Sequence, residues 1–245
     1  MNPPAPSRPA AGHFPSGDPV THARALPYAR ALGLHWQDVG PARAGLRLPF
    51  SDRVADARRG TVHPLALLGQ LDQACSAAVF AGLEQPALIA TLDLRVDYAA
   101  PPAPQGELLC TAQTTYMDAS TALVRAHAVC VSSGATVAYA SSAYAIGAHP
   151  GMRDREATVR QDSFAPDPAE WAPHDSFEQM IDLQRDGDGW VMPFHRRLVG
   201  AASLPSLHGG STGAAMALAA VDLVRGQCPP VPALRWLGLS VRYLR

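Results

Sequence analysis

Two histidines head the stretches of this chain whose residue types and spacing could do chemistry. His63 is followed nine positions later by Asp72, and His208 is followed at once by Gly209 and Gly210. A carboxylate flanked by Leu68, Leu71 and Cys75 at core spacing is placed to take a proton from water or to attack an electrophile. Glycines at the start of a helix leave its first N–H groups approachable, and those donors, with the helix dipole, polarise a carbonyl. The two histidines begin copies of one pattern. His63 to Tyr98 and His208 to Tyr243 have equal length at an offset of 145, and each is preceded by a Pro-Phe pair, 49–50 and 193–194. The copies differ where chemistry would need them to agree. Ala217 stands where the first copy has Asp72, and Pro64 and Leu65 stand where the second has Gly209 and Gly210.

The elements that must hold these residues follow from periodicity. From Pro64 to Leu83 the apolar positions Leu67, Leu68, Leu71, Ala74, Cys75, Ala78 and Val79 fall at helical spacing, which predicts one long central helix. Nine residues at about 1.5 Å each put Asp72 about 13 Å from the start of that helix, so it cannot act on a group bound at His63. A short amphipathic helix is predicted in 21–34 and a half-buried strand in 42–50. Alternating stretches at 90–100, 106–117, 121–132 and 135–147, separated by PPAPQG, DAS and SSG, read as antiparallel strands. Strand, helix and then a run of strands is an α+β arrangement with the helix against one face of a curved sheet. In the second copy a helix is expected over 176–185, a strand at 189–195, a helix over about 209–224 and a strand within 233–245. Counterparts of the strands in 106–147 would need roughly 45 further residues. Either the chain is a fragment, or its second unit is completed from elsewhere. The expected organisation is a disordered lead (1–20), a first domain (21–147), a Pro-rich charged linker (148–175) and an incomplete second domain (176–245).

Composition narrows the function. A formal net charge of −1 gives no reason to expect nucleic acid or a membrane surface as partner. All 20 basic residues are arginines, which excludes a P-loop lysine and a Schiff-base lysine. Cys75, Cys110, Cys130 and Cys228 form no CxxC pair and read as buried free thiols rather than a zinc site or a disulfide scaffold. The Pro-rich N-terminus lacks the apolar stretch of a signal peptide, so a cytoplasmic location is expected.

Strand, long buried helix, antiparallel strands and His-Gly-Gly at a helix start together resemble the hotdog fold. More narrowly, the chain is similar to tandem, or double, hotdog acyl-CoA thioesterases of the phenylacetate-pathway type. The resemblance spans most of 25–147 and 176–245, and its motif is His-Gly-Gly with an acid nine residues after the histidine. In such proteins the acid of one unit faces the helix start of the other. Carried over, this implies one competent site, made by Asp72 with His208, Gly209 and Gly210. The opposite site, His63 and Pro64 with Ala217, would have neither an acid nor an N–H at Pro64. The resemblance implies an acyl-CoA substrate, no cofactor or metal, and a homo-oligomer. Asp72 would be general base or nucleophile, Gly209 the oxyanion donor, Ser76 an orienter of water, and Arg58 and Arg59 contacts for CoA phosphates. One departure stands out, because many members carry an Asn six residues before the histidine and this chain has Ala57 and Ala202 there. That departure keeps a second reading open, a non-catalytic acyl-CoA-binding or regulatory protein. A hotdog hydratase is a third, though no Asp and His pair on one segment supports it.

Overall fold

The structure is a computed structural model, and it describes residues 26–56, 58–84, 87–147, 176–200, 206–227 and 235–243. In chain order the first group of elements is helix α1 (Pro27–Ala31), strands β1 (His35–Gly40) and β2 (Arg43–Leu48), the short strands β3 (Ala55–Asp56) and β4 (Thr61–Val62), helix α2 (Pro64–Gly82), and strands β5 (Ile89–Tyr98), β6 (Leu108–Met117), β7 (Thr121–Cys130) and β8 (Thr136–Ile146). The second group is helix α3 (Phe177–Ile181), strands β9 (Gln184–Asp186) and β10 (Gly189–Val191), helix α4 (Gly209–Gln227) and strand β11 (Gly238–Arg242). The lead and linker expected at 1–20 and 148–175, together with Ala57, Ala202 and Cys228, lie outside the described residues.

A seven-stranded antiparallel sheet runs in the order β1-β2-β6-β7-β8-β5-β11, giving the α+β architecture expected from the sequence. Alternation builds it. In β7 the side chains of Ala122, Val124, Ala126, Ala128 and Cys130 point into the core while Leu123, Arg125 and His127 are exposed. The β6–β7 turn is fixed by Asp118, whose Oδ1 accepts the N–H groups of Ser120 and Thr121 at 2.8 Å each. On the concave face lies α2, packed against β2, β6 and β7. Each of its residues from Leu65 to Phe80 is buried. Each leucine so enclosed contributes about 2 kcal/mol of apolar burial. Alone among the described helices, α2 is long and apolar enough to cross a membrane, and it is the core helix of this fold. Cys75, Cys110 and Cys130 are buried free thiols.

The second group packs on the first through a sheet edge and a helix crossing. β11 extends the sheet by pairing with β5 in antiparallel register, Leu239 opposite Val96 and Val241 opposite Leu94. α4 crosses α2 where Gly213 meets Leu68, two residues at the repeat offset of 145, and a Cβ on Gly213 would lie 3.3 Å from Leu68 Cδ2. The short helices cross between the groups: α1 packs on the turn 196–198 of the second group, and α3 packs on the turn 52–54 of the first. β9 and β10 form a separate two-stranded sheet. The helix expected over 176–185 is shorter, Phe177–Ile181, and residues 184–185 belong to strand β9 instead, while the strand expected at 189–195 is regular over Gly189–Val191 alone. Strand β1 is not foreseen by the sequence reading, because HWQDVG is largely exposed and lacks clean alternation.

Candidate functional site

The crossing of α2 and α4 decides which groups meet. With Leu68 against Gly213, a residue one turn further along α2 lies beside one a turn earlier on α4, so Asp72 reaches the start of α4. Close approach is possible because the contact is glycine on glycine: a Cβ on Gly210 would lie 2.8 Å from Gly69 Cα. Asp72, 1% exposed, accepts the Gly210 N–H on Oδ2 at 2.7 Å. Its Oδ1 accepts hydroxyl protons from Thr91 (3.3 Å) and Tyr144 (3.1 Å), and Tyr144 also lies 3.1 Å from the Asp72 carbonyl oxygen. The structure thus brings Asp72, His208, Gly209 and Gly210 into one buried cluster.

Gly209 contributes the space more than the visible hydrogen bond. A Cβ there would stand 2.8 Å from Asp72 Oδ2 and 3.0 Å from Thr91 Oγ1, so a side chain would drive the acid off the helix start. The N–H that reaches the carboxylate is that of Gly210, one residue later than the donor expected from the sequence. His208 precedes the helix and is 4% exposed. Its Nε2 lies 3.0 Å from Gln73 Oε1, and its Nδ1 lies 3.0 Å from the Gly210 nitrogen and 3.2 Å from Asp72 Oδ2. Burial pushes the His208 pKa below its ordinary value, against the pull of the Asp72 charge. Nδ1 accepts the Gly210 N–H, which puts the ring proton on Nε2 toward Gln73. Tyr28 of α1 packs on the same ring, 4.8 Å between centroids. Tyr243 closes the site from β11, its hydroxyl donating to the Gly209 carbonyl at 2.6 Å.

Other expected contributors lie elsewhere. Ser76 turns its hydroxyl back to the Gln73 carbonyl of its own helix at 3.0 Å. Thr91 holds the place beside the acid that Ser76 was expected to take. Arg58 and Arg59 are exposed, with Arg59 paired to Asp56 at 2.9 Å, and they border the start of α2 rather than that of α4. Thr91 and Tyr144 are absent from the sequence-based reading. A signal for Thr91 exists, because the repeat offset sets it opposite Trp236, a polar-to-aromatic exchange between copies. Nothing comparable marks Tyr144. Among the described residues no group of three or more His, Cys, Asp or Glu is placed to hold a metal ion.

At the start of α2 the same frame recurs without the chemistry. Tyr98 donates to the Pro64 carbonyl at 2.9 Å as Tyr243 does to Gly209, and Phe177 stacks on His63 at 4.9 Å as Tyr28 packs on His208. His63 Nδ1 accepts the Leu65 N–H at 3.1 Å, and its Nε2 meets Glu178 Oε1 at 3.3 Å. At the repeat offset of 145, Ala217 stands in the place of Asp72 and Trp236 in that of Thr91.

The pattern of the thioesterase superfamily matches residues 59–137, about a third of the chain. Similar solved structures include a thioesterase family protein from Silicibacter pomeroyi, 22% identical over 54% of this chain and 98% of that one, with a TM-score of 0.48. The E. coli PaaI protein from the phenylacetic acid degradation operon is 17% identical over 52% of this chain and 92% of its own, at 0.46. A mutant of the phenylacetic acid degradation protein PaaI from Thermus thermophilus is 25% identical over 49% and 97%, at 0.43. No curated protein matches the chain.

Proposed function

Residues 59–137 carry the thioesterase-superfamily pattern, and from that premise we propose that the chain is a fusion of two hotdog-like units that hydrolyses an acyl-CoA thioester to a free acid and CoA. One competent site forms where Asp72 of the first unit meets the helix start of the second. The observation that carries this reading is the 2.7 Å hydrogen bond from Gly210 N–H to Asp72 Oδ2. A charged oxygen already lies at the helix start, so the donors there are aimed where a thioester oxyanion needs them. Substrate entry replaces that carboxylate oxygen with the thioester carbonyl oxygen. Asp72 then takes a proton from water, the water oxygen bonds to the carbonyl carbon, and the negative charge gathers on the oxygen held by the α4 N–H groups. Collapse breaks the C–S bond, and the departing CoA sulfur recovers the proton. The alternative route, attack by Asp72 itself through an anhydride, uses the same placement. Thr91 and Tyr144 hold Oδ1 and leave Oδ2 to the reaction. Arg58 and Arg59, at the start of α2 rather than of α4, are not assigned to the CoA phosphates of this site, and the chain is taken to act as a homo-oligomer in the cytoplasm.

The closure of the site favours one other reading. Asp72 is buried and bonded to Gly210, Thr91 and Tyr144 at once, an arrangement that also suits a structural staple in a protein that binds acyl-CoA without cleaving it. Thiol release measured over short, medium, long and aromatic acyl-CoAs separates the two. Hydrolysis of at least one ester, abolished by Asp72→Asn, is the expected result. Binding of acyl-CoA by the wild-type protein with no thiol released would replace catalysis with the binding reading.

A further inference from the structure

We propose that the helix start at Pro64 is a separate, non-catalytic binding site for a small aromatic carboxylate. It rests on a pocket of about 170 Å³ beside α2, lined by Arg59, Pro64, Leu67, Tyr98, Arg235 and Trp236 among others. The repeat explains how it arose from the frame of the reactive site. Ala217 replaces the acid, Trp236 replaces Thr91, and Pro64 removes a helix N–H, so the acid, its hydroxyl partner and one helix donor of the reactive frame are absent while the Tyr98 tie to the helix start is kept. What remains is an aromatic wall, with the Tyr98 and Trp236 rings 6.4 Å apart and tilted by 48°.

Charge decides which apolar ligand this wall suits. Among the described residues the ionisable lining groups besides the Tyr98 phenol are the guanidinium groups of Arg59 and Arg235, and no carboxylate is among the lining. Arg59 shares its charge with Asp56, whereas the partner of Arg235 among the described residues is the uncharged Ala99 carbonyl, at 2.9 Å. A guanidinium presents paired donors that match a carboxylate, and the exposed position of Arg235 lets it close on a ligand at little desolvation cost. The volume lies below the roughly 300 Å³ at which pockets accept drug-sized molecules, so a single-ring acid fits and a whole CoA ester does not. The planar ring stacks against Trp236 and Tyr98 while the carboxylate turns outward to Arg235. Occupancy does not depend on turnover at Asp72.

Benzoate is the probe. Calorimetric titration of the full chain should show saturable binding in the micromolar to millimolar range, unchanged in Asp72→Asn and weakened at least tenfold in Arg235→Ala and in Trp236→Leu, each checked for folding by circular dichroism. Benzyl alcohol, with the ring but no charge, should bind at least tenfold more weakly than benzoate. Adenosine 3′,5′-bisphosphate should not compete. Absence of benzoate binding at tens of millimolar, binding lost in Asp72→Asn but kept in Arg235→Ala and Trp236→Leu, or competition by the bisphosphate would each overturn the assignment, the last by making the pocket a nucleotide subsite. Because benzoate binding is read in the Asp72→Asn protein as well, failure here leaves the hydrolytic reading standing, and failure of hydrolysis leaves this site standing.

Discussion

Asp72 and Ala217 occupy equivalent positions in the two copies, so single substitutions test the proposed reactive site against its counterpart. Asp72→Ala is expected to lower thioester cleavage about a hundredfold or more, the scale of a lost general base, while Ala217→Ser should leave turnover near wild type. Steady-state kinetics on one acyl-CoA checks both, and comparable losses would show that the pairing across the helices is wrong. Gly209 gives a sharper test. Because a Cβ there would stand 2.8 Å from a carboxylate oxygen already tied to Gly210, Gly209→Ala should cost roughly 1 to 3 kcal/mol of stability as well as turnover. Urea unfolding at matched conditions measures the first and thiol release the second, and an alanine variant indistinguishable from wild type in both would refute the close packing. Asp72, Gly209 and Gly210 were legible in the sequence because the repeat aligned them and their exchange between copies drew attention to both. Thr91 and Tyr144 were not, since each reaches Asp72 from a strand whose registry depends on the whole sheet. Ser76 was assigned by its distance along the helix, but a serine there satisfies itself on the carbonyl one turn back.

Elements whose burial is uniform were the easiest to read, and those that depend on a partner were the hardest. α2 and the strands β5 to β8 lie close to their sequence-based limits because period and apolar content agree along their length. β1 escaped because its exposed residues pair with β2 at the sheet margin, where alternation is weak. The two helix starts show how similar elements titrate differently. Burial lowers the His208 pKa below its ordinary 6.5, so the unfolded chain binds a proton there that the folded chain refuses. Stability from this group is complete above about pH 6.5 and declines as pH falls below it. Glu178 instead has its pKa lowered to about 2, first by the hydrogen bond from His63. An acid depressed from about 4.5 contributes stability that is present above that pH and lost between about 4.5 and 2. Glu178 is half exposed, so its share is modest. Thermal melts across pH should show Glu178→Gln flattening the slope below pH 4.5 while the decline that begins near 6.5 persists. An unchanged slope below 4.5 in the variant would remove Glu178 from the account.

At the scale of the molecule, the second group has fewer strands than the first among the described residues. Six strands of the first group join β11 in one sheet, whereas β9 and β10 stand apart as a hairpin linked to α4 through Asp222, which accepts from Trp190 Nε1 at 3.2 Å. α2 is enclosed by β2, β6 and β7, but the corresponding outer face of α4 leaves Met216, Leu223 and Val224 exposed. Among the described residues β11 is paired on its β5 side alone, and Leu237, just before it, is 70% exposed. An apolar helix face beside an open strand edge draws another surface onto itself, because burial of the one and hydrogen bonding of the other are both gained on contact. Self-association is therefore expected, with the interface over α4 and β11. Sedimentation velocity over a hundredfold concentration range should show a dimer or larger species that shifts toward monomer in Met216→Arg/Leu223→Arg. These side chains already face solvent in the single chain, so the paired substitution should leave the monomer's melting temperature within a few degrees and Asp72 undisturbed. A wild-type protein that stays monomeric at the highest concentration, or an oligomer indifferent to two arginines on α4, would place the contact elsewhere.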